Sequence, residues 1–151
     1  RLEVQVERLL DLETQQSEIA RVAALANQNI AAGRDTVIYT SRKLAVASDA
    51  EGSLEVGKIV SNSLIRILHA IPTRPRYILA KGGITSHNVA TLGLGIRRAV
   101  VLGQIMAGIS VWQAGPESLF PGICYLIFPG NVGSPDTLLN VVNKLKLPKK
   151  V

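Results

Sequence analysis

Two rhythms of apolar residues alternate along the 151-residue chain. Residues 2–6 alternate apolar and polar, the period of a short edge strand. Over 15–32, Ile19, Val22, Ala23, Leu25, Ala26 and Ile30 recur at helical spacing, and Gly33 follows where a left-handed cap belongs. Residues 36–40 form a compact β-branched and aromatic run that predicts a buried strand. A second helix is predicted over 54–70, with Val56, Ile59, Val60, Leu64, Ile67 and Leu68 on one face and Ser53 as its N-cap. Pro72 and Pro75 stop it. Residues 76–80 predict a second buried strand, and 85–92 a short helix opening at Thr85 or Ser86.

Beyond residue 98 the pattern is strand-like. Residues 99–102 and 109–112 predict strands joined through Met106, Ala107 and Gly108. Residues 124–128 predict another. Ser134, Pro135 and Asp136 then form a strong helix start, followed by Leu138, Leu139, Val142 and Leu145. Helices alternating with strands predict an α/β fold: three layers, a mainly parallel (mixed) sheet, and helices on both faces. Strands 36–40, 76–80 and 124–128 read as continuous apolar runs, as expected of strands covered on both faces.

The length suits one domain with a real core. The chain begins at Arg1, inside an apolar and charged pattern, which is expected of a piece of a longer protein. No secretory-signal pattern opens it. No apolar run reaches the ~18–20 residues of a membrane span. Cys124 is the single cysteine, so no disulfide can form within the chain, and a reducing cytoplasm fits. Net charge is +6, which suits nucleic acid or small anions. The basic residues are scattered and aromatics are 4%, so nucleic acid is disfavoured and small anions are left. No His, Cys, Asp and Glu grouping has metal-ligand spacing.

In open α/β sheets ligands bind beyond the C-terminal ends of the strands. Three predicted strand ends carry glycine, hydroxyls or positive charge. The first is Ser41 and Arg42, the second Lys81, Gly82, Gly83, Ile84, Thr85 and Ser86, and the third Gly130, Asn131, Val132 and Gly133. Glycines let backbone N–H groups approach an anion, and a helix N-terminus adds its dipole. Thr85 and Ser86 offer hydroxyls, while Lys81 or Arg42 offers countercharge. A simple tight turn is the competing reading of each glycine pair. The segment 52–58 mimics a Walker A loop, but Ile59 replaces the metal-binding hydroxyl residue and the segment lies within a predicted helix. Gly93 and Gly95 begin a dinucleotide fingerprint that Arg98 interrupts. His87, beside the glycine turn, is a functional candidate or a surface helix residue. Trp112 stacks on a base or packs in the core. Glu117 holds ribose hydroxyls or caps its own loop.

Taken in order, residues 81–86, Gly103, Gln104, 115–118, Pro121, Gly122 and 129–133 resemble the C-terminal nucleotide-binding domain of the four-carbon acid sugar kinase family. The resemblance covers about residues 36–145. It implies an ATP- and Mg²⁺-dependent kinase that phosphorylates erythronate, threonate or 3-oxo-tetronate-type acids on the terminal hydroxyl. It also implies ATP contacts at Gly82, Gly83, Ile84, Thr85 and Gly130. Many members carry an acidic residue where Ile84 stands, so here the role rests on the backbone. The family's acid-binding domain and the first strand of its nucleotide domain have no counterpart in residues 1–151. The whole chain is therefore expected to be one nucleotide-binding domain of a larger kinase, with no general base assigned and a homodimer as candidate assembly. Two rivals stay open. One is a non-catalytic α/β assembly or anion-binding regulatory module that self-associates through 99–112. The other is a sugar-phosphate isomerase that would rely on His87 and Glu117.

Overall fold

A computed structural model describes residues 1–41 and 50–146. Two compact units divide the chain, 1–75 and 76–151. Among the described residues no helix is long and apolar enough to cross a membrane.

The first unit holds β1 (Leu2–Val4), α1 (Val6–Leu10), α2 (Leu12–Ala31), β2 (Ile38–Thr40) and α3 (Ala50–His69). β1 and β2 pair in parallel, Leu2 opposite Ile38 and Val4 opposite Thr40. Val4, Leu9, Ile19, Val22, Ala26 and Ile67 form the core. They combine the inward strand positions with the helical stripes read from the sequence. Asp11 caps α2 by accepting the Glu13 N–H, and Gly33, at φ 70°, ends it as expected. Two expectations need correction. β2 is not covered on both faces: Tyr39 is exposed, because β2 pairs with β1 in a two-stranded sheet that sends only alternate residues inward. Ser53 does not cap α3, which already includes Ala50.

The carboxylate of Glu18 is fully buried at the junction of β1, α1 and α2. It accepts from the Gln5 N–H at 2.9 Å and from Arg21 Nε and Nη2 at 2.9 and 2.6 Å. Arg8 Nε lies 3.8 Å away. The Arg21 hydrogen bonds hold its pKa below the usual carboxylate value, against the opposing effect of burial.

The second unit holds β3 (Tyr77–Lys81), α4 (Gly83–Asn88), a π-helical turn (Val89–Gly93), β4 (Ala99–Met106), β5 (Ile109–Ala114), β6 (Cys124–Phe128) and α5 (Thr137–Lys146). Its sheet has the order β3-β6-β5-β4. β3 and β6 are parallel, while β4–β5 and β5–β6 are antiparallel. Leu79, Ile109, Leu126 and Phe128 pack on Val141 and Leu138 of α5. On the other face the Tyr125 hydroxyl donates to the Ser86 carbonyl of α4 at 2.6 Å. Helices thus cover both faces of a mixed sheet, the expected α/β class. The predicted helix start at 134–136 forms a turn instead, in which the Ser134 N–H donates to Thr137 Oγ1 at 2.7 Å before α5 begins.

Replacing Glu18 tests the first unit. Glu18→Ala strands two arginines and the Gln5 N–H, and is expected to cost about 2–4 kcal/mol in denaturant unfolding at pH 7. Because the folded-state pKa is depressed, the ionic stabilisation is complete above the unfolded-state pKa of about 4.3 and fades as pH falls below it. The gap between the protein and Glu18→Ala should narrow below about pH 4. A gap that is constant with pH would contradict this.

Candidate nucleotide site

The register of β3 on β6 sets the site. Lys81 is opposite Phe128, so both strands leave the sheet at the same level. The Gly82 N–H extends the ladder by one bond, to the Phe128 carbonyl at 2.8 Å. Gly82 then turns the chain into α4 with φ 106° and ψ 149°, a backbone region essentially restricted to glycine. Across the gap, a Cβ at Gly130 would lie 3.8 Å from the Gly82 Cα, so the two glycine turns lie side by side.

The first intrahelical bond of α4 runs from the Ser86 N–H to the Gly82 carbonyl at 2.9 Å. The N–H groups of Gly83, Ile84 and Thr85 precede it and belong to the helix's open first turn. Nothing lies within 4 Å of a Cβ built on Gly83, and the Ile84 side chain is 77% exposed. The head of α4 therefore offers backbone donors to open space, which suits an anion's oxygens. Thr85 Oγ1 faces Gly82 at 3.7 Å from a Cβ built there.

The predicted site residues fall into three groups. Gly82, Gly83, Ile84, Thr85, Gly130 and Asn131 cluster at the ends of β3 and β6. Ser41 belongs to the first unit, where its N–H donates to the Val4 carbonyl and its hydroxyl accepts from the Val6 N–H at 3.1 Å. That bond ties β2 to the start of α1. Arg42 lies outside the described residues.

Other side chains take roles that the sequence left open. The Ser86 hydroxyl is buried and donates to the Ala80 carbonyl at 2.9 Å, so it holds the turn rather than a ligand. Lys81 Nζ lies over the Phe128 ring at 4.0 Å and donates to the Pro129 and Gly130 carbonyls at 3.4 and 3.3 Å. It staples the two turns and leaves its charge at their lip. Glu117 caps its own loop: Oε1 accepts from the Arg97 and Arg98 N–H groups at 3.1 and 3.0 Å, with Arg98 Nε 3.5 Å from Oε2. Its own N–H, those two amides and the Arg98 charge hold its pKa low. A Cβ at Gly115 would run into this carboxylate, which explains the glycine there.

Sequence reasoning missed a cleft of about 520 Å³ beside the turn. Gly83, His87 and Thr91 line one wall, and Trp112, Val101 and Ile127 of the sheet line the other. The signal was present in the spacing 83, 87, 91 along one helical face. Among the described residues no group of three or more His, Cys, Asp and Glu could hold a metal.

Paired glycine turns at the C-terminal ends of adjacent parallel strands, one opening a helix, define an α/β domain built to hold an anionic ligand. The chain belongs to the nucleotide-binding C-terminal domain family, whose model matches residues 1–138. The same architecture appears in solved structures. A Bordetella bronchiseptica protein with a DUF1537 domain of unknown function, determined with bound citrate as a domain-swapped dimer, is 16% identical with a TM-score of 0.64, over 95% of this chain and 34% of that one. A Salmonella typhimurium LT2 protein provisionally described as a tRNA synthase is 18% identical with a TM-score of 0.65, over 95% and 34%. A Haemophilus influenzae DUF1537 protein is 17% identical with a TM-score of 0.61, over 94% and 34%. At these identities the likeness concerns the fold. The chain spans about a third of each of those proteins, 34%. No curated protein matches the chain significantly. The family resemblance read from residues 81–133 is borne out.

The two glycines of the turn should respond differently to a methyl group. Gly82→Ala forces an alanine to φ 106° and is expected to cost about 1–3 kcal/mol in denaturant unfolding. Gly83→Ala, with open space and an ordinary φ, should stay within about 0.5 kcal/mol of the parent. Equal losses at the two positions would contradict this geometry.

Proposed function

We propose that this chain is the ATP-binding domain of a kinase that phosphorylates a four-carbon sugar acid, of erythronate, threonate or 3-oxo-tetronate type, on its terminal hydroxyl. The observation that carries the reading is the pairing of the turn at Gly82, Gly83, Ile84 and Thr85 with Gly130 at the ends of β3 and β6. That pairing sits within a fold of the nucleotide-binding family. The N–H groups at the head of α4 receive phosphate oxygens, and Asn131 borders them on the neighbouring turn. Ser41 and Arg42 are proposed nucleotide contacts on the sequence pattern alone.

The residues fit a nucleotide in a specific way. Gly83 is open, so a phosphate can approach the backbone as closely as hydrogen bonding requires. Lys81 holds a positive charge at the lip. No acidic cluster among the described residues would hold Mg²⁺ on its own, so the ion enters with the nucleotide phosphates. Bound Mg²⁺ would supply charge neutralisation across the phosphates. In this reading, acid recognition and the general base belong to residues outside the matched domain. The citrate held by the Bordetella protein is a small hydroxy acid, and that protein's dimer supports a homodimer as the working assembly. The setting is cytoplasmic, with no nucleic acid or membrane partner.

Gly83→Val tests the reading directly. A side chain there meets no protein atom, so thermal unfolding should change little. It would occupy the space of a phosphate oxygen and should weaken MgATP at least about tenfold in calorimetric titration. Unchanged ATP affinity would remove the turn from the site.

A further inference from the structure

The chain after β6 turns sharply. The Val132 N–H donates to the Pro129 carbonyl at 3.3 Å, which makes Gly130 and Asn131 the central pair of a β-turn. Neither takes a positive φ, as in a type I turn. The peptide between them has a second orientation open to it. Rotated by about 180°, it gives a type II turn, which needs a positive φ at the second central position. Asn131 stands there, and asparagine enters that region more readily than most side chains. Gly130 adds no resistance of its own. Local sequence therefore leaves this peptide able to flip.

Lys81 distinguishes the two orientations. Its Nζ donates to the Gly130 carbonyl at 3.3 Å and to the Pro129 carbonyl at 3.4 Å. A flipped peptide would turn the Gly130 carbonyl away from the ammonium. The ammonium lies over the Phe128 ring, which packs on Val141 of α5, whereas α4 covers the opposite face of the sheet. A trans peptide points its N–H opposite to its carbonyl, and no peptide bond here is cis. The Asn131 N–H is thus turned away from Lys81, and it donates to no group among the described residues.

We propose that Lys81 is a positioning residue. By holding the Gly130 carbonyl, it fixes the Asn131 N–H as a phosphate donor that joins the open amides of Gly83, Ile84 and Thr85. The flipped peptide would offer the anion a carbonyl oxygen instead, an acceptor facing acceptors. The inference rests on the nucleotide reading of the glycine turns and adds what keeps the second turn in its binding form.

Lys81→Met removes the ammonium and keeps the apolar stem, and Lys81→Arg restores charge and donors. Lys81 is exposed, so both variants should unfold close to the parent. In the ligand-free protein, an amide–amide NOE between Gly130 and Asn131 marks the present turn, and a strong NOE from Gly130 Hα to the Asn131 amide marks the flipped one. Lys81→Met should show the second pattern and bind inorganic tripolyphosphate at least about tenfold more weakly in calorimetric titration. Lys81→Arg should keep the first pattern and stay within about threefold of the parent. An unflipped turn in Lys81→Met, even with weakened tripolyphosphate, would make Lys81 a countercharge only and overturn the positioning role. A flipped turn with unchanged affinity would overturn it as well. Both results leave the nucleotide reading standing. Failure of the parent protein to bind either tripolyphosphate or MgATP would overturn that reading and this inference together.

Discussion

The parallel pairing of β3 with β6 is the constraint on which the second unit depends. Five consecutive residue pairs hold the two strands in register from Tyr77 and Cys124 to Lys81 and Phe128. The Gly82 N–H closes one further bond onto the Phe128 carbonyl. Both chains must then leave the sheet at one level, within van der Waals reach of each other. A Cβ at Gly130 would make ordinary contact with the Gly82 backbone, whereas Gly82 itself must take a positive φ. Ser86, Tyr125 and Ala80 lock the turn from one face through hydrogen bonds of the Ser86 hydroxyl and carbonyl. Phe128 and Val141 lock it from the other.

What that construction yields is a surface of open backbone donors. The donors at the head of α4 are oriented by the helix, not by side-chain rotamers, so their direction is set before a ligand arrives. The Ile84 side chain is exposed and takes no part in orienting the donors. Positive charge is placed by Lys81, whose ammonium is already fixed on the Pro129 and Gly130 carbonyls. Such a fixed anchor suits a nucleotide, whose phosphates are held by oriented donors without a rearrangement on binding.

The strand ends were legible in the sequence because glycine, lysine and hydroxyl residues follow buried β runs directly, and that juxtaposition is local. The long helices were legible from their periodic stripes. α1 was not, since five residues from Val6 to Leu10 contain too little of a turn pattern to stand apart from β1. The partial exposure of β2 was hidden because an apolar run does not reveal how many neighbours its strand will have. The Ser86 hydroxyl looked like a ligand donor until the fold brought the Ala80 carbonyl to it. Glu117 likewise found Arg97 and Arg98 some twenty residues away, a contact that spacing alone cannot show. The cleft beside Trp112 depends on packing of a helix across three strands, which no linear motif encodes.

Amide chemical shifts of the ¹⁵N-labelled protein, recorded while MgATP is added, test the central claim most directly. The account predicts that the largest changes fall on Gly82, Gly83, Ile84, Thr85 and Gly130, saturating together along one binding curve. Saturable shifts confined to other residues, with these five amides unmoved, would contradict it.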